Sequence, residues 1–174
     1  MEIATIAHVI SVIFGMGSAL ISDILFTFYS KDKKLNKTEI NTLSVLSKVV
    51  LISLFFIIAS GFVIFLSDID KYLSSAKFLS KMTIMIVLLI NGYILNRYVW
   101  SHLLQKDFFV SKRERPMRRI AFISGAISVV SWISVCILGM LNDVTFDYYQ
   151  ILIFYLAIVV VSSLVSVIIE RKKY

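Results

Sequence analysis

The sequence predicts an all-α integral membrane protein: one transmembrane domain over 1–174, built as a bundle of five membrane-spanning helices. Three observations predict it. Of the 174 residues, 59% are hydrophobic and the mean hydropathy is +0.88, which leaves too little polar surface for a soluble domain of this size. Five apolar runs, near 3–28, 42–67, 78–99, 119–141 and 148–169, reach the length needed to cross a bilayer. The basic residues fall in alternate connections between those runs.

The first run opens with Met1 and Glu2. It lacks a positive leading region and has a long apolar core, so a retained helix is expected rather than a cleaved signal. The connection after it holds Lys31, Lys33, Lys34 and Lys37, and the next holds Asp68, Asp70, Lys71 and Lys77. The third holds Lys106, Lys112, Arg113, Arg115, Arg118 and Arg119. The fourth has Asp143 and Asp147 and no base, and Arg171, Lys172 and Lys173 follow the last run. By the positive-inside rule the N-terminus is outside and the C-terminus cytoplasmic. Asn36-Lys37-Thr38 matches a glycosylation acceptor, but on the inner side it is expected to be inert. Pro116 stands before the fourth helix, where a missing N–H matters little.

The net charge of +7 reads as a topology signal, with no nucleic-acid partner implied, because the bases sit between apolar runs. The expected partners are the bilayer itself and anionic lipid headgroups at the cytoplasmic loops, with the oligomeric state open. Trp100, Leu103, Leu104, Phe108 and Phe109 fall on one side of a stretch that either continues helix three along the membrane surface or forms a solvated basic loop. One cysteine, Cys136, rules out an intrachain disulfide. No HExxH, Walker loop, GxSxG or CxxC is present, so nothing points to a hydrolase, nucleotide or zinc site.

Helices in lipid associate through small residues that let backbones approach. His8, Ser11, Gly15, Ser18 and Ser22 hold one face of helix one, and Ala121, Gly125, Ser128 and Gly139 offer a matching face on helix four. Helix one is expected to be central, with helices one to four forming the core.

Ionisable groups inside a bilayer need a partner, a route to the interface or a ligand. Asp23 and Lys48 lie at similar depth in two antiparallel neighbours, so a buried ion pair is expected between them. It either sets register or relays a proton or ion. Lys81 lies near the outer end of helix three, at the depth of His8. It either snorkels toward Asp68 or Asp70 or joins His8 in an outer-half pocket. Asn91 follows Lys81 on the same helical stripe and can hydrogen-bond across helices below that pocket. His102 is a membrane thickness from His8, so the two cannot share a metal within one chain.

HVISVIFGMGSAL in helix one, ASGFVIFL in helix two and FLSKMTIMIVLLINGYI in helix three together resemble a group of small bacterial membrane proteins. That group includes the copper resistance protein D family and the HemJ type of protoporphyrinogen oxidase. The resemblance covers about the first 100 residues. It implies a bacterial cytoplasmic (inner) membrane and, if the chain is an enzyme, a membrane oxidoreductase. It also implies haem or porphyrin roles for His8, as the axial ligand, and Lys81. The chain departs from the HemJ-like pattern at SDILF, where Asp23 stands in place of an arginine. The expected function is therefore a haem b- or quinone-like ligand held near His8, Lys81 and Asn91. The alternatives are ion or proton transport through Asp23 and Lys48, or a structural or assembly subunit without a ligand.

Overall fold

The computed structural model describes residues 2–104, 108–141 and 145–174, and the loop residues Lys106 and Asp143 lie outside them. The described chain is helical, with no strand. Helix α1 (Glu2–Tyr29) ends in a 3-10 turn, Ser30–Asp32, closed by Lys33 in the left-handed region (φ 56°). Then come α2 (Lys37–Leu66), the short α3 (Ile69–Leu73) and α4 (Ala76–Ile94). A wider π turn, Leu95–Val99, carries α4 into α5 (Trp100–Leu103). Helix α6 (Arg115–Met140) and α7 (Tyr148–Lys173) complete the chain. Five helices are long and apolar enough to cross a membrane.

Two of these helices start earlier than hydropathy alone places them. Asn36 accepts from the Glu39 N–H at 2.9 Å, and the Glu39 carboxylate accepts from the Asn36 N–H at 2.8 Å. This reciprocal cap starts α2 at Lys37 with a polar first turn. Pro116 sits inside the first turn of α6, where no helical N–H is needed, so the helix begins at Arg115.

Helices α1 and α2 pack along their length, and α6 touches α1, α4 and α7. Helix α7 also packs on α4, and it buries Ile151, Tyr155, Ser166 and Glu170. The fifth span is therefore part of the core, and α6 is as central as α1. Consecutive spans α2 and α4 keep their backbones apart and meet through side chains, Phe65 stacking on Phe78 and Leu54 and Ile57 clustering with Leu88.

The small face of α1 does point inward. A Cβ on Gly15 would stand 2.8 Å from Trp132 Cη2 and 3.1 Å from Ser53 Cβ, so only glycine lets α1, α2 and α6 meet there. Large apolar side chains face outward, Phe55 at 66% exposure and Val161 at 60%, as suits lipid contact. Phe108 and Phe109 are buried (1% and 3% exposed) with Leu43, Val99, Leu103 and Ala121. Neither a surface helix nor a solvated loop describes residues 108–109, because their rings turn back into the bundle.

Candidate functional site

His8 and Asp23 lie fifteen residues apart on α1, about 22 Å along its axis. They belong to two separate environments. His8 Nδ1 is 3.2 Å from the Ile57 carbonyl and 3.1 Å from Ser60 Oγ. The Ser60 hydroxyl already donates to Phe56 O at 2.5 Å, so the imidazole is the donor, through Nδ1–H. Its Nε2 makes no hydrogen bond among the described residues. Gly61 lets the ring lie against α2: a Cβ there would be 3.3 Å from His8 Cε1.

Lys81 is half-buried, within electrostatic range of His8, and has no ion pair among the described residues, with Asp68 and Asp70 included. Its neighbour Lys77 donates to the Leu141 carbonyl at the end of α6. Asn91 is buried and donates through Nδ2 to Ser124 O at 2.9 Å, a bond that ties α4 to α6. Neither of the two cavities that Asp23 lines includes His8 or Lys81.

The expected Asp23–Lys48 pair does not form. Lys48 is exposed on α2. The buried residues of that helix near it are Leu43, Ser53, Leu54 and Ile57, and six residues separate Lys48 from Leu54. At about 100° per residue the two point roughly 120° apart. Matching depth put Asp23 and Lys48 at one level, but the helical phase turns Lys48 outward. Asp23 instead faces α6 over Gly125, where a Cβ would lie 3.3 Å from Asp23 Oδ1.

Asp23 Oδ2 is buried and has no hydrogen-bond partner among the described residues. It lies where two cavities meet. One, about 160 Å3, lies between α2 and α4 and is backed by α1 and α6. Its polar lining is Ser22, Asp23, Ser47, Asn91, Asn96 and Ser128. Leu54, Leu88, Trp100 and Trp132 are among its apolar walls. Trp132, packed on Gly15, separates it from the His8 end. The π turn supplies Leu95, Asn96 and Val99, and this wider stretch re-aims side chains toward the cavity. The second cavity, about 280 Å3, runs between α1 and α7 across α6, lined by Asp23, Thr27, Gly125, Ser162 and Ser166.

Below Asp23, the basic end of the bundle is closed by a buried charged and aromatic cluster. Glu170 (1% exposed) accepts from Arg118 Nε at 2.9 Å and Arg119 Nε at 3.4 Å. Arg118 also donates to Phe108 O and Phe109 O, and its guanidinium lies 4.9 Å from the Tyr174 ring centre. Tyr174 donates to Ser30 O at 2.5 Å and stacks on Phe109. Burial pushes its phenol up from the ordinary tyrosine range. His102 and buried Glu114 pair at 2.7 Å beside this cluster. Glu170 escapes a reading of the sequence because it stands among the terminal bases. Its spacing from Tyr155 and Ser166 on one buried stripe is the signal that could have found it.

Among the described residues, no group of three or more His, Cys, Asp or Glu is placed to hold a metal ion. Comparison with protein-family models, curated proteins and solved structures finds no match.

Proposed function

We propose that this integral membrane protein exchanges a proton or another cation at Asp23. One observation carries the reading: a carboxyl oxygen buried without a partner where two cavities meet, on the wall of a membrane-spanning helix. A bare carboxylate is expensive in that setting, so the group holds a proton or takes a cation. Gly125 leaves the room in which Asp23 can turn from one cavity to the other. Lys48 has no part in this exchange. With the N-terminus outside and the basic end cytoplasmic, Asp23 lies in the inner half of a bacterial cytoplasmic membrane. Anionic headgroups would meet the basic loops there.

The test is proton movement into liposomes loaded with a pH-sensitive dye and driven by a potassium diffusion potential. The wild type should acidify the lumen faster than empty liposomes, and Asp23→Asn should abolish the excess. Equal rates for the two proteins would remove Asp23 from the function.

A second reading keeps His8 and Lys81. The bare Nε2 and the nearby ammonium favour it, and so does the resemblance of spans one to three to the copper resistance protein D and HemJ-like group. A haem-like or quinone-like ligand would then dock beside the pair, outside the two cavities that Asp23 lines, in an oxidoreductase or a ligand-binding protein. One imidazole supplies one axial position, and His102 is engaged by Glu114 at the far end. Reduced-minus-oxidised spectra after expression with haem test this case. A Soret and α-band lost in His8→Ala support it, and their absence from the wild type removes haem.

A further inference from the structure

The cavity between α2 and α4 has three properties that together specify an occupant. It has an opening toward the outside of the bundle: α2 and α4 meet there through side chains with their backbones apart, and exposed Leu51 stands on its rim. Its walls are mostly aliphatic and aromatic, with Leu54, Leu88, Trp100 and Trp132 prominent. Its polar side ends on Asp23, whose buried Oδ2 lacks a donor. An apolar body with a single donor-bearing positive charge complements all three.

Size narrows the choice. A buried apolar cavity of about 150 Å3 holds one benzene. The space here, about 160 Å3, fits one ring or a short alkyl group beside the carboxyl. An anion is disfavoured by Asp23, and a neutral ring would leave Oδ2 unpaired.

We propose that this cavity binds the head of a small lipophilic ammonium ion, which enters sideways from the lipid between α2 and α4 and pairs with Asp23. This rests on the cation-exchange reading of Asp23 and names the class of cation. Binding to protonated Asp23 releases one proton, which leaves the carboxyl as the ammonium arrives. The indole of Trp100 and that of Trp132 flank the bound ring.

The chain's two tryptophans both line this cavity, so its own fluorescence reports occupancy. The probe is para-bromobenzylamine, whose bromine quenches indole on contact. Its controls are para-bromobenzyl alcohol and para-bromobenzoate, titrated against purified protein in lipid nanodiscs. The amine should quench saturably, with the alcohol and the benzoate at least about tenfold weaker, the worth of one charge-assisted bond. Asp23→Asn should bring the amine down to the alcohol. Gly92→Phe, which fills the mouth where an added Cβ meets nothing within 4 Å, should weaken the amine without touching the carboxyl, and it covers the case of a misfolded Asp23 variant. Equal quenching by amine and alcohol, or amine quenching unchanged in both variants, overturns the ammonium site. Asp23-dependent proton flux in liposomes alongside such a result would leave the exchange reading standing. Its loss would remove both.

Discussion

Replacing Glu170 with glutamine is the sharpest test of the packing at the basic end. Glu170 is 1% exposed and Arg118 3%, so the swap strands a guanidinium in a buried place. Removing one member of such a pair typically destabilises by about 3–5 kcal/mol. The neutral amide still accepts one bond from Arg118 Nε, which argues for the lower half of that range. The more exposed Arg119 adds little, since its Nε is 3.4 Å away. For a chain of this size each kcal/mol moves the midpoint by roughly 2–4 °C, so a fall of about 6–16 °C is expected. The assay is thermal unfolding in detergent micelles, followed by circular dichroism. The double variant Arg118→Met, Glu170→Leu should recover only part of the loss. It removes both charges, but Phe108 O and Phe109 O lose their donor. A midpoint for Glu170→Gln within about 2 °C of wild type would refute the view that this pair is desolvated and structural.

Gly15→Leu should be more disruptive than any apolar swap on the lipid face. Its Cβ alone meets Trp132 at 2.8 Å, and overpacking of this kind costs about 1–3 kcal/mol or more, read as a lower unfolding midpoint. Tyr174→Phe should lower stability by about 1 kcal/mol at neutral pH, through loss of the bond to Ser30 O. The wild-type advantage should shrink above about pH 10, where the unfolded phenol ionises first while the buried one holds its proton. An advantage that grows with alkaline pH would contradict the buried neutral phenol. With Cys136 replaced, single cysteines at Lys33 and at Ser74 should differ in intact cells. The impermeant reagent should label position 74 and miss position 33, and the reverse pattern would invert the proposed topology.

The five spans are legible in the sequence because a soluble fold has little use for apolar runs of membrane length. Their ends are less so, since a polar first turn such as Lys37–Glu39 is held by a cap rather than by hydropathy. Gly15 and its stripe are readable from helical spacing, and so is the cross-helix bond of Asn91. The Asp23–Lys48 pair fails because matched depth fixes height and leaves rotation about each helix free. The charges that do pair, Arg118 with Glu170 and His102 with Glu114, stand in segments rich in bases, where composition reads as loop and topology. Phe108 and Phe109 turn inward because Arg118 holds their carbonyls, a contact that linear sequence does not reveal. The cavity between α2 and α4 depends on how far apart their backbones stand, which the short α3 connection does not reveal.

The most direct measurement is the infrared spectrum of the purified protein across pH, in light and heavy water. If Asp23 is the exchanging group, a protonated-carboxyl stretch present at low pH should vanish on titration. It should also shift promptly in heavy water and be missing from Asp23→Asn. A spectrum that Asp23→Asn leaves unchanged, or an Asp23 band indifferent to both pH and heavy water, would contradict the account.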